Sequence, residues 1–184
     1  MKKILLTSAG FENERLARTF LDLAGKPAGE IRALFIPTAA NNPDAIAVLP
    51  KCMDDLLHAG IPKENIAVFD LHRALTDDEM SRFDAVYFTG GSSRYLLERI
   101  LDTRFDGQLT RFIERGGIYI GVSAGSIVAT DTLPGGLGYI RCTLNVHTQE
   151  GTQPGAVDTA ETPHINLTDS AALLLHGEDC QVIQ

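Results

Sequence analysis

The stretch Gly121-Val122-Ser123-Ala124-Gly125 places one hydroxyl between two glycines at the spacing G-x-S-x-G. Acyl-transfer chemistry accounts for each residue type. A serine nucleophile has to stand out on a sharp, strained turn, so the neighbours two positions away must be tiny. The helix that follows then aims free amide N–H groups at the point where an oxyanion develops. A corner that merely needs small residues would match so short a pattern too, so context decides. Here "IYIGV" (118–122), apolar on both faces, reads as a fully buried strand, and "AGSIVAT" (124–130) restarts as a small, helix-compatible segment. A strand-to-helix junction is the context in which the pattern marks a nucleophile, and the backbone at Ser123 is then expected to be strained.

Such a serine needs a base, and histidine is the usual one. Five are present: His58, His72, His147, His164 and His176. His58 lies late in a helix, where a contact with the helix dipole explains it. His72 follows a strand and His176 sits at a hairpin, both facing solvent. His147 ends the apolar run "CTLNVH" ahead of the glycine-containing loop "TQEGTQPG", as a base presented from a strand end would. His164 opens the strand "INLTD" after Pro163. On the residues alone, both stay open.

These side chains must be held by a scaffold, and the chain repeats β-α units up to residue 130. Strands are expected at 3–8, 31–37, 65–71, 85–91 and 118–122. Helices are expected at 12–25, 43–60, 76–83, 93–101 and 107–117, with Pro50 kinking or splitting the second. Thr76 with Glu79 three residues on reads as a capping box. Short turns between alternating elements imply a mainly parallel sheet covered by helices on both faces, an α/β three-layer sandwich with Ser123 at the carboxyl end of a central strand. Beyond about residue 133 the chain becomes strand-rich and glycine-punctuated, with a hairpin from "AALLLH" across "GED" to "CQVI". A length of 184 residues without repeat or linker reads as one domain, 1–184.

Bulk properties narrow the partners. A net charge of −8, spread along the chain, argues against nucleic acid and against an anionic membrane surface. The opening "MKKILLTSAG" has too short an apolar run for a signal peptide or a membrane span. Cys52, Cys142 and Cys180 are odd in number and widely spaced, which suggests neither a disulfide framework nor zinc. A cytoplasmic location is expected.

Together, "FTGGSSRYLLERI", "GGIYIGVSAGSIVAT" and "LNVHTQEG" resemble the dipeptidase E / cyanophycinase family of serine peptidases, whose fold is class I glutamine amidotransferase-like. The likeness runs over most of the chain, from "KILLTS" to "INLTDSAALLLHGED". It implies Ser123 as nucleophile, the amides of Ala124 and Gly91 as oxyanion hole, and His147, rather than His164, as base. It also implies a carboxylate between serine and histidine; the one acid in that interval is Asp131, eight residues beyond Ser123, with Glu150 in reserve. No metal and no cofactor is implied. The substrate implied is a small peptide, of the Asp-X dipeptide type; Arg94 and Arg141 are the cations near motif residues, and neither is assigned to a pocket. The cyanophycinase branch carries arginines after its histidine, which "HTQEGTQPG" lacks, so cyanophycin is disfavoured. Amidotransfer from glutamine is disfavoured as well, because that chemistry uses a cysteine at the elbow. A second reading from another class is a non-catalytic binding or sensor module keeping the elbow as a relic. A homodimer stays open.

Overall fold

The computed structural model describes residues 1–184. Ten strands and seven α-helices follow one another: β1 (Lys3–Thr7), α1 (Glu14–Ala24), β2 (Ala33–Ile36), α2 (Pro43–Ala47), α3 (Leu49–His58), β3 (Ile66–Val68), α4 (Asp77–Met80), β4 (Ala85–Phe88), α5 (Ser93–Asp102), α6 (Phe105–Glu114), β5 (Ile118–Val122), α7 (Ala124–Val128), β6 (Thr143–Asn145), β7 (Gly155–Ala156), β8 (His164–Asn166), β9 (Ala172–His176) and β10 (Asp179–Ile183). The main sheet has eight strands in the order β3-β2-β4-β5-β1-β9-β10-β7. Its first five are parallel to one another, and β9, β10 and β7 continue it antiparallel. The expected α/β sandwich with a mainly parallel sheet is the observed fold.

The strands are buried because both faces are covered. β2, β4 and β5 are buried at every position, which is why they read as continuous apolar runs without alternation. Successive residues nonetheless point to opposite sides. Ile4 and Leu6 of β1 join the core under α5, α6 and α7, while Leu5 joins the core under α1 and α3. These two cores of 29 and 19 buried residues make the three layers.

Local signals explain most boundaries. The Asn13 side chain accepts the Leu16 N–H to start α1, and Gly25 ends it in the left-handed region at φ 65°. Thr76 and Glu79 form the full capping box of α4. The helix expected over 43–60 is split: α2 stops at Ala47, and α3 begins at Leu49 with Pro50 in its first turn, where a missing N–H costs nothing. The expected strand 65–71 shrinks to three residues because β3 is the sheet edge, with Val68 61% exposed. The expected hairpin forms, β9 turning through Gly177 (φ 69°) and Glu178 into β10.

Two registers position the site. Phe88 pairs with Gly121, and Thr7 with Val122, so β4, β5 and β1 reach their carboxyl ends together. Separately, β6 and β8 form a small parallel sheet in which Asn145 pairs with Asn166. His147 and Asp169 therefore leave two paired strands at the same end.

Candidate active site

Ser123 follows the last residue of β5 and precedes α7, with φ 47° and ψ −102°. A β-carbon pays sterically in that region, so the value marks a position the surroundings force. Its N–H donates to the Thr7 carbonyl at 3.0 Å, and the Ser126 hydroxyl donates to the same carbonyl at 2.7 Å, tying the corner to β1. The flanking glycines are dictated by close approach. A β-carbon on Gly121 would lie 2.6 Å from the Gly125 carbonyl group, and one on Gly125 would lie 2.6 Å from Phe88 Cβ. The strained corner expected from the sequence is present.

His147 Nε2 lies 3.1 Å from Ser123 Oγ, and its Nδ1 lies 2.6 Å from Asp169 Oδ1. With the ring proton on Nδ1 donated to Asp169, Nε2 is left as an acceptor for the serine hydroxyl. His147 itself has φ 57°, uncommon for a residue with a side chain. That turn lets the chain leave β6 and swing the ring back over the carboxyl edge of the main sheet. Ser8, fully buried just past β1, holds both partners: its hydroxyl accepts the His147 backbone N–H at 2.6 Å and donates to Asp169 Oδ1 at 3.2 Å. The hydrogen bond from His147, then its charge and the Ser8 hydroxyl, keep the Asp169 carboxyl below its usual value, and Lys51 adds to this.

The carboxylate that meets His147 is thus Asp169, where the sequence reading had Asp131 with Glu150 in reserve. Asp131 is exposed, with its backbone N–H bonded to the Cys142 carbonyl and its carboxylate facing Gly138. Glu150 is exposed and bonded to nothing. The interval between Ser123 and His147 folds away from the imidazole, whereas the β8–β9 connection brings Asp169 against it. His164 opens β8, at the end opposite to His147, since its partner there is Thr143. His58, His72 and His176 are exposed: His58 ends α3, His72 follows the edge strand β3, and His176 pairs with Lys3 at the other end of β1.

Gly91 and Ala124 stand where the resemblance put them. Ala124 opens α7, and its N–H, like that of Gly91, has no carbonyl or side-chain acceptor within the protein. Gly91 has φ 137°, and a β-carbon there would meet the Ala39 carbonyl oxygen at 2.0 Å, so only glycine lets the turn approach this closely. A β-carbon built on Gly90 beside it would lie 3.4 Å from Ser123 Cβ. Both N–H groups thus sit at a corner able to receive an oxyanion.

The serine, histidine and Gly90-Gly91 turn border a cavity of about 200 Å³. Arg94 is exposed on α5, and Arg141 lines a separate open groove beside β10, so neither reaches this cavity. No group of His, Cys, Asp and Glu side chains has the spacing of a metal site, and no helix is long and apolar enough to cross a membrane.

Comparison with known proteins agrees with this fold. An uncharacterized peptidase of Pasteurella multocida (strain Pm70) is 26% identical over 133 residues, 72% of this chain. The match spans 62% of that relative's own length, less than two thirds of it. An uncharacterized peptidase of Listeria monocytogenes serovar 1/2a (strain ATCC BAA-679 / EGD-e) is 26% identical over 174 residues, 94% of this chain and 77% of the relative. Among solved structures, a provisionally assigned peptidase E protein from Listeria monocytogenes EGD-e superimposes with a TM-score of 0.76 at 18% identity, covering all of this chain and 98% of the other. That likeness speaks for the fold. The model of peptidase family S51 matches residues 4–135, through both the Gly-Gly turn and the serine corner. The chain belongs to peptidase family S51.

Proposed function

We propose that this protein is a serine-type hydrolase that cleaves a small peptide or amide through an acyl-enzyme, with Ser123 as nucleophile, His147 as base and Asp169 as the carboxylate. The observation that carries this reading is the unbroken chain Ser123 Oγ, His147 Nε2, His147 Nδ1, Asp169 Oδ1, at 3.1 Å and 2.6 Å, anchored on a strained elbow. Ser123 Oγ attacks the scissile carbonyl carbon while its proton passes to His147 Nε2. The tetrahedral oxyanion accepts hydrogen bonds from the Gly91 and Ala124 amides, each worth about 3 kcal/mol in the transition state. The C–N bond then breaks, and the imidazolium returns the proton to the leaving amine. Water repeats the sequence on the Ser123 ester, giving its proton to His147, and the free acid leaves as Ser123 recovers its hydrogen. Asp169 holds the imidazole in the tautomer this needs and stabilises its charged form. No step calls on a metal or cofactor.

The meeting of serine, histidine and carboxylate weighs against the relic reading, which rested on the short interval between Ser123 and His147 and on an unsettled acid. The test is stoichiometric labelling of Ser123 by a fluorophosphonate, lost in Ser123→Ala and in His147→Ala. No labelling where a control hydrolase reacts would mean a non-catalytic protein. His164→Ala should leave labelling unchanged.

A further inference from the structure

The cavity beside Ser123 is walled by Ala9, Ala45, Val48, Leu49 and Val122, with the Cys52 thiol also facing it. Its about 200 Å³ fall below the roughly 300–1,000 Å³ of pockets that take whole drug-sized ligands, and suit a single side chain. The leaving amine must face His147 Nε2, on the solvent side: the His147 and Asp169 side chains are 50% and 62% exposed. The closed side, bounded by α2, α3 and the end of β5, is left for the residue whose carbonyl is attacked.

Charge around the cavity decides what that residue can be. Its one cation is Lys51, whose ammonium is paired with Glu12 and donates to the Ala9 carbonyl at 3.3 Å. An aspartate side chain would have to displace Glu12 while sitting near the Asp169 carboxylate. Without that exchange it would be a carboxylate taken out of water against alanine, valine and leucine, which is strongly unfavourable. Burial pushes the Cys52 thiol up, so it contributes no thiolate charge and acts as a small apolar wall. The net charge of −8 adds no attraction for an anionic substrate.

Resting on the serine hydrolase reading, we infer that the cavity is the acyl-side specificity pocket and selects a small aliphatic side chain of alanine to leucine size, in place of the aspartate that the family resemblance implies. The preference comes from the wall supplied by α2 and the start of α3. Within that wall Val48 is exposed, so this position can change without disturbing the cores.

The test is kcat/KM on a series of aminoacyl coumarinylamides bearing Ala, Val, Leu, Asp and Lys, with fluorophosphonate labelling of Ser123 run beside it. The expected result is labelled Ser123 and Leu or Val favoured over Asp by about tenfold or more, the scale on which apolar pockets discriminate. Val48→Arg, at a surface position, should narrow or reverse that gap by giving the carboxylate a partner. Labelled Ser123 with Asp favoured, and that preference lost in Lys51→Met, overturns the pocket while leaving the hydrolase intact. Unlabelled Ser123 with no hydrolysis in the series overturns the hydrolase reading, and the pocket with it.

Discussion

At the scale of single residues, Ser8 and Asp169 decide how firmly the imidazole is held. Asp169→Asn keeps the shape but lets the ring take the wrong tautomer, and kcat should fall about 10⁴-fold, the cost seen when a triad carboxylate is amidated elsewhere. Asp131→Asn, exposed and distant, should leave kcat within about twofold, as surface changes do. Side-by-side steady-state kinetics of the two variants checks both. Ser8→Ala removes a hydroxyl that touches both partners, so kcat should drop about 100-fold or less while KM barely moves. A purely structural role for Ser8 would instead lower thermal stability with kcat per folded molecule retained. Because the Asp169 carboxyl sits below its ordinary value, its link to His147 is fully present above about pH 4 and is lost only as pH falls through the lowered value. The carboxyl carbon resonance of Asp169 should therefore titrate with a midpoint below about 4, and Ser8→Ala should move it upward. Ser123 was legible because the elbow has a local pattern; His147, which the residues alone left level with His164, was singled out by the family resemblance. Asp169 was not, since "TDSA" carries no mark of its role, and searching only the interval before His147 led to Asp131. What makes Asp169 a partner is strand pairing far from it in sequence.

At the scale of elements, the corner exists because β5 and α7 approach more closely than any side chain allows. Gly125→Ala would drive its methyl into Phe88 and should cost about 1–3 kcal/mol or more, read as a fall in thermal midpoint together with loss of Ser123 labelling. Gly107, which meets only the tip of the Arg111 side chain at 3.6 Å, should accept alanine with unchanged or slightly raised stability. Helix α4 offers a pH readout. Arg73 and the cap together lower the Glu79 carboxyl to about 2, so its stabilising bonds are present above its ordinary 4.5 and are lost as pH falls from there towards 2. Protection of the Glu79 and Met80 amides, taken relative to the intrinsic exchange rate at each pH, should fall across that window. The capping box, the glycine stop of α1 and the break at Pro50 could all be read from sequence, because each is a bond or a clash between near neighbours. The lengths of β3 and of the final strands could not, since an edge strand is shortened by what fails to pair with it.

At the scale of the whole molecule, the sheet is finished from its far end. β1 is central, with β5 on one side and β9 on the other, and Lys3 through Thr7 pair with His176 through Ala172. A chain cut after residue 150 would leave β1 as an open edge, uncover Leu173 and Leu174 partners in both cores, and lose Asp169. Such a truncation should fail to fold cooperatively, checked by circular dichroism on heating and by its inclusion in aggregates. The same pairing has a consequence for biosynthesis. The nucleophile emerges from a ribosome well before its acid, and β1 must wait, unpaired on one side, for the last hairpin to be translated. Closing so long a loop is slow. The nascent polypeptide thus carries Ser123 before His147 is oriented, and the arrangement of Ser123, His147 and Asp169 is assembled only when β9 and β10 dock on β1.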